Sequence, residues 1–218
     1  MNMALKNVIF DLDGTLVDSL PGIEYAVDRA LEMTGYPART CELRPLIGPP
    51  IRNILQQVSG ETSPQALDRL EAAFRATYDS EGWTRTTLQP EAMEMLEWIS
   101  AGGARNYVVT NKPLRPATWI TERLGLPALV SEMVCPPPYR SKSAMIQQLM
   151  QQDEIRAGNS LVVGDTLEDL EAAAEAGMPA VLVTTGYGQV QDTQGTTYGK
   201  IRALGELKLL IAEAGGFA

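Results

Sequence analysis

Three short apolar runs in the chain each end in residues able to do chemistry. Val8-Ile9-Phe10 runs into Asp11-Leu12-Asp13-Gly14, Tyr107-Val108-Val109 into Thr110-Asn111-Lys112, and Ser160-Leu161-Val162-Val163 into Gly164-Asp165-Thr166. Each run reads as a buried strand. In an open parallel sheet the ligand crevice lies just beyond the carboxyl ends of the strands, so three polar strand ends are expected to converge there. One strand ending in Asp could equally be capping a helix; three converging ends are harder to account for that way. Asp11 and Asp13 with Asp165 would gather negative charge, at a cost on the order of several kcal/mol unless a cation neutralises it. Oxygen-only ligation, in a chain without histidine, selects magnesium. Bound Mg²⁺, the Thr110 hydroxyl and a lysine would then form a receptacle for a phosphate dianion, with Asp11 free to attack phosphorus. The chemistry this implies is phosphoryl transfer through an aspartyl phosphate.

Composition narrows the field from the other side. The chain has 218 residues, 18 Lys+Arg against 27 Asp+Glu for a net charge of -9, and 44% hydrophobic residues. That is an ordinary globular composition, long enough for one to two domains. The absence of histidine removes a Ser-His-Asp triad, a phosphohistidine intermediate, the 2-His-1-carboxylate iron site and most catalytic zinc sites. Cys41 and Cys135 form no CxxC pair, which fits a reducing cytoplasm, although two cysteines could pair. No long apolar run suggests a membrane span or a signal peptide, and the acidity argues against general nucleic-acid affinity. A soluble, cytoplasmic protein acting on a small phosphorylated metabolite, as monomer or homodimer, is the expectation.

The elements that must position these residues follow from periodicity. Ile23, Ala26, Val27, Ala30 and Leu31 mark a helix with one buried face, which Gly35-Tyr36-Pro37 stops. The spacing recurs in Ile51, Ile54, Leu55 and Val58, and again in Leu67, Leu70, Ala73, Phe74 and Thr77 after Ser63-Pro64, read as a serine N-cap with proline at N1. Residues 17 to about 85 therefore read as all-helical. From residue 90 helices at 91–101, 114–124, 142–152 and 168–176 alternate with strands at 106–110, 129–134, 160–164 and 180–184, a βαβ series that implies a parallel sheet. Cys135-Pro136-Pro137-Pro138 is a stiff extended stretch, and 185–203 reads as loop. The expected architecture is a doubly wound α/β core made of 1–16 and 87–218, with a helical cap inserted at 17–86.

Asp11-Leu12-Asp13-Gly14-Thr15, Thr110-Asn111, Lys142 and Gly164-Asp165-Thr166-Leu167-Glu168-Asp169 together resemble the four ordered motifs of the haloacid dehalogenase superfamily. The helical insert resembles the type C1 cap of its phosphoglycolate phosphatase-like branch, and Ile47-Gly48-Pro49-Pro50 resembles its cap loop. The resemblance implies that Asp11 is the nucleophile and that Asp13 is the general acid and then the general base. It implies that Thr110, Asn111, Lys142 and Gly14 bind the phosphoryl group, and that Asp11, Asp165 and the Asp13 carbonyl hold Mg²⁺. Asp169 and Thr15 would support these from behind. The lysine role could fall to Lys112 instead of Lys142, because many relatives carry Lys-Pro-x-Pro where this chain has Arg140-Ser141-Lys142. Arg52 is either a surface charge or a clamp for a substrate carboxylate, and Glu168 reads as a favourable first-turn helix charge.

The expected activity is that of a phosphoric monoester hydrolase, with phosphoglycolate the first substrate to consider. Asp13 sets it apart from relatives that attack carbon, and the lack of any lysine in 17–85 sets it apart from phosphonate hydrolysis. A sugar-phosphate mutase keeps the same carboxylate pair, but its usual cap pattern includes a histidine, absent here. A phosphoaspartate receiver-like binding module shares the acidic pocket, yet ends near about 120 residues and has no cap.

Overall fold

The computed structural model describes residues 5–136, 141–152, 154–188, 199–213 and 215–217. Two compact units emerge: Met1–Val17 with Leu88–Ala218, and Asp18–Thr87. The first is built on six parallel strands, β1 (Asn7–Phe10), β4 (Arg105–Val109), β5 (Val130–Val134), β6 (Ser160–Gly164), β7 (Ala180–Val183) and β8 (Gly199–Ile201). Their order across the sheet is β5-β4-β1-β6-β7-β8. The chain thus builds outward from β1 in one direction through β4 and β5, then returns to the other side for β6, β7 and β8. That reversal at β1 is the topological switch point at which a crevice opens beyond the strand ends. Residues alternate between faces along a strand, and Val8, Ile9, Phe10, Val108, Val109, Val162 and Val163 are all buried, so both faces are covered. Ile9, Tyr107, Val109, Val162 and Leu182 pack with Met145, Ile146 and Leu149 of α6 (Lys142–Leu149) and Leu170, Ala172 and Ala173 of α7 (Leu167–Glu175).

Helices α4 (Ala92–Ala101), α5 (Leu114–Arg123) and α8 (Leu207–Glu213) complete this unit. The loop reading of 185–203 needs correction, because Gly199–Ile201 is a strand in register with Val181–Val183. Gly-Lys-Ile is too short and mixed to show alternation, and what makes it a strand is the free edge of β7. Residues 189–198 of that stretch, and Pro137 to Arg140 of the proline run, lie outside the described residues.

The second unit contains α1 (Leu20–Thr34), α2 (Ile51–Ser59) and α3 (Pro64–Ser80), with α3 packed against both α1 and α2. Ala26, Val27, Ala30 and Leu31 are its buried face on α1, and Leu67, Leu70, Phe74 and Tyr78 on α3, where the last two rings stack with centroids 5.4 Å apart. Gly35 ends α1 at φ 80°, its N–H donating to the Glu32 carbonyl and that of Tyr36 to Leu31. Ser63 occupies the N-cap of α3, but its hydroxyl does not cap the helix and bonds Gln65 instead; the Glu61 carboxylate accepts from the N–H groups of Thr62 and Ser63. The chain passes between units through the short paired strands β2 (Val17–Asp18) and β3 (Thr87–Leu88), a departure from an all-helical stretch that two residues per strand could not signal.

Candidate active site

The register of the sheet sets the first contacts. Phe10 lies beside Val108 on one neighbour and Val163 on the other, so the next residues emerge together from the carboxyl edge. The Asp11 N–H donates to the Val163 carbonyl at 2.9 Å, the last ladder bond before the chain turns. The turn is tight: Leu16 and Val17 both donate to the Leu12 carbonyl, and Gly14 donates to Val17. Gly14 sits at φ 91°, where a side chain is strained, and a Cβ there would overlap the Asp165 carboxylate.

Lys142 enters from the first turn of α6, whose start is fixed by the Ser141 hydroxyl accepting from the Ala144 N–H. Its Nζ lies 2.7 Å from Oδ1 of Asp11 and 2.6 Å from Oδ1 of Asp169, with all three side chains buried. Asp169 is at the same time part of a capping box. Its Oδ2 accepts from the N–H and hydroxyl of Thr166 at 2.9 and 2.7 Å, so the start of α7 and the lysine orient one carboxylate between them. Asp165 accepts from the N–H groups of Tyr187 and Gly188 at 2.5 and 3.3 Å and from the Thr15 hydroxyl at 3.3 Å. Close by, Gly186 leaves room that a Cβ would take from the Asp165 side chain.

Carboxylate oxygens of Asp11, Asp165 and Asp169 all lie within 4.8 Å of one another, and all three residues are buried. Burial raises Asp11 well above the usual carboxylate range, with Asp169 and Asp165 adding to the rise and Lys142 pulling against it. Burial, then Asp169, lifts Asp165 to about 6. Burial works against the Lys142 ammonium, yet Asp11 and Asp169 hold it more firmly protonated than usual. With all three carboxylates ionised, one lysine would leave an excess of negative charge, which is why burial pushes Asp11 and Asp165 toward their neutral forms. An oxygen-only donor set of this kind fits a hard divalent cation.

A second layer borders this trio. Lys112 contacts both oxygens of Asp13, at 2.9 and 3.0 Å, while its N–H donates to the Thr110 hydroxyl at 3.1 Å. Asn111 donates its side-chain amide to Glu168 at 2.7 Å. The structure therefore gathers Asp11, Asp13, Gly14, Thr15, Thr110, Asn111, Lys142, Asp165 and Asp169 at one edge of the sheet. Arg52 belongs to the other unit: it lies on α2 within the insert, bonded to Asp68, Glu71 and the Pro64 carbonyl. Both lysines that competed for one role meet a carboxylate, Lys142 that of Asp11 and Lys112 that of Asp13. Sequence reasoning missed the contacts of Glu168 and the Gly186-Tyr187-Gly188 turn around Asp165. The turn's one sequence signal was a Gly-x-Gly shortly after an apolar run. Cys41 is exposed and Cys135 half-buried, and both are free thiols rather than a pair. No helix among the described residues is long and apolar enough to cross a membrane.

Comparison with known proteins places this geometry. The family model of haloacid dehalogenase-like hydrolases matches residues 8–183. A phosphoglycolate phosphatase of Vibrio parahaemolyticus is 30% identical over 194 residues, covering 84% of this chain and 85% of its own length. One from Rhodospirillum rubrum is 31% identical over 206 residues, with 84% and 81% covered. The crystal structure of a Haemophilus somnus protein, described as a predicted phosphoglycolate phosphatase, superposes with a TM-score of 0.86 at 26% identity, over 95% of this chain and 98% of that one. By the family match and by these relatives, the chain belongs to the haloacid dehalogenase-like hydrolases, in their phosphoglycolate phosphatase-like branch.

Proposed function

We propose that this protein is a Mg²⁺-dependent phosphomonoesterase that works through an aspartyl phosphate, with 1–16 and 87–218 as its catalytic core and 17–86 as its cap. The observation that carries the reading is the buried trio Asp11, Asp165 and Asp169, whose charge a single lysine does not balance. Asp11 and Asp165, with Asp169 behind them and the Asp13 carbonyl in support, would hold the metal. When bound, Mg²⁺ supplies positive charge that lets an anionic nucleophile approach an anionic phosphoryl group.

In this reading an Asp11 carboxylate oxygen attacks phosphorus and the ester P–O bond breaks. Its electron pair stays on the departing oxygen, which takes a proton from Asp13. A water molecule then gives a proton back to Asp13 and attacks the phosphorus, releasing phosphate and restoring Asp11. Lys142 orients Asp11 and neutralises part of the charge at the phosphoryl group, and the Thr110 hydroxyl and Asn111 amide would donate to phosphoryl oxygens. For Asn111 this requires its amide to leave or share the Glu168 carboxylate.

Phosphoglycolate is the proposed first substrate, on the strength of the relatives of that name. The test is phosphate release from a panel of small phosphate esters including phosphoglycolate, with Mg²⁺ and with EDTA, in wild type and Asp11→Asn. Magnesium-dependent release that Asp11→Asn abolishes is expected. Release that survives in Asp11→Asn, or none from any ester by folded protein, overturns the reading. A preference for another ester overturns only the choice of substrate.

A further inference from the structure

The ion pair between Lys112 and Asp13 has no part in the chemistry so far. Both side chains are largely shielded, at 6% and 18% exposure, and 99 residues separate them in sequence. The ammonium meets both carboxylate oxygens almost equally. Such a pair is a poor device for stability, because desolvating two ions offsets most of their attraction, and apolar residues of similar volume serve as well. What it does supply is direction.

Asp13 stands in the tight turn after β1, and a free aspartate there would sample several rotamers. Among the described residues no group other than Lys112 donates a hydrogen bond to its carboxylate. Lys112 is itself anchored, because its N–H is bonded to the Thr110 hydroxyl at the end of β4, the strand paired with β1. The ammonium thus transfers the rigidity of the sheet to the Asp13 side chain. Lys142 cannot do this, since it is committed to Asp11 and Asp169. The two lysines divide the work: one serves the residue that attacks, the other the residue two positions on.

We propose that Lys112 is a positioning residue for Asp13, holding that carboxyl group where it meets the departing ester oxygen. The inference rests on the phosphatase reading above and adds a residue to it. As the P–O bond breaks, its electrons move to the leaving oxygen, which takes the proton from the Asp13 carboxyl group and leaves Asp13 as the carboxylate that Lys112 pairs with in the structure. Lys112 fixes where that proton is delivered and does not contact the phosphoryl group.

Leaving-group dependence separates this role from a structural one. An alkoxide needs a proton as it departs, whereas p-nitrophenolate leaves readily without one. The ratio kcat/KM covers only the steps up to departure of the leaving group. It would be measured for an alkyl phosphate monoester and for p-nitrophenyl phosphate in wild type, Lys112→Met, Lys112→Arg, Asp13→Asn and the double variant Asp13→Asn with Lys112→Met. Lys112→Met is expected to lose about 10²-fold on the alkyl ester and less than about 5-fold on the aryl ester, in the range of general acid catalysis. Lys112→Arg should recover part of the alkyl loss. In the Asp13→Asn background Lys112→Met should cost less than about 3-fold, because the group it positions can no longer give a proton.

Equal losses on the two esters overturn the proposal, as does a loss in the Asp13→Asn background as large as in wild type. A rise in KM for both esters at constant kcat also overturns it and makes Lys112 a substrate contact. If circular dichroism shows Lys112→Met unfolded, Lys112→Arg and Lys112→Gln carry the same comparison between esters. Wild-type protein that releases phosphate from neither ester refutes the phosphatase reading itself, an outcome distinct from all of these.

Discussion

In the helical insert, Arg39 meets Asp28 and Glu24, and Arg52 meets Asp68 and Glu71, with one or both partners of each pair partly exposed. At the carboxyl edge of the sheet, Lys142 stands between Asp11 and Asp169, and none of the three side chains is more than 6% exposed. The same residue types thus do different things. An exposed pair gains little, because water screens it and two long side chains must be held still. A buried pair is costly to assemble and costly to break, so its persistence needs a reason other than net stability. At the sheet edge the phosphatase reading proposed above supplies that reason. The insert's pairs need no such account.

Removing one cation from each region tests the contrast. Lys142→Met leaves Asp11 and Asp169 facing each other without their shared partner, and is expected to cost about 3–5 kcal/mol in urea unfolding. The raised position of Asp11 favours the lower end, because protonation relieves part of the repulsion. Phosphate release should be lost altogether. Arg52→Met, which removes an arginine bonded to two partly exposed acids, should leave the urea midpoint almost unchanged. Equal destabilisation by the two substitutions would break the comparison. Loss of activity in Arg52→Met without loss of stability would sharpen it by making Arg52 a ligand contact.

How much of this was legible differs by the range of the interaction. Periodicity placed the helices of both units, because an amphipathic stripe such as Ala26, Val27, Ala30 and Leu31 is written within one element. The strand ends carrying Asp11, Thr110 and Asp165 could be read for a related reason: in a parallel sheet every strand finishes on the same side. Interactions that depend on how loops fold back were not legible. Nothing local links Asn111 to Glu168, or Lys112 to Asp13, since the long side chains of Glu and Lys reach in directions that only the finished structure fixes. Tyr187 and Gly188 reach Asp165 through backbone N–H groups, which every non-proline residue possesses, so the bonds themselves left no trace in the sequence beyond the Gly-x-Gly of the turn. Strand β8 exists because β7 offers an edge, a property of the sheet and not of Gly199-Lys200-Ile201.

The glycines extend the contrast to metal binding. Asp165, lifted to about 6 by burial and Asp169, holds a proton in the folded state that the unfolded chain, near 3.9, has already lost. This group's contribution to metal-free stability is therefore full below about pH 4 and lost as pH rises through about 6. Mg²⁺ needs the ionised form, so its stabilising effect should grow over the same window. Thermal melts with and without millimolar Mg²⁺ are expected to differ by about 5–10 °C at pH 8 and by little at pH 5. Gly186→Ala, whose methyl would collide with Asp165, should erase most of that difference. Gly60→Ala, at φ +70° with nothing within 4 Å, should cost about 1 kcal/mol and leave the difference intact. A magnesium shift that is flat with pH, or that survives Gly186→Ala, would detach Asp165 from the metal.

The two thiols also fall one in each region. Cys41 is exposed in the insert, whereas Cys135 lies half-buried just past the end of β5. Burial, and next the Asp13 carboxylate, push the Cys135 thiol up to about 11, with Lys112 drawing it the other way. Only about one molecule in a thousand would then carry a Cys135 thiolate at pH 8, and the thiolate is the form that reacts with iodoacetamide. Alkylation at that pH should modify Cys41 first, with Cys135 following at least about 100-fold more slowly in peptide mapping. Lys112→Met should slow Cys135 further, because a cation that draws its thiol down is gone and Asp13 remains. Acceleration of Cys135 in that variant would mean that the ion pair had been shielding the thiol sterically, so the burial of this edge would depend on Lys112 itself. Unchanged labelling of Cys41 in the same sample is the internal control, since it tests whether the insert is disturbed by a substitution made at the sheet edge.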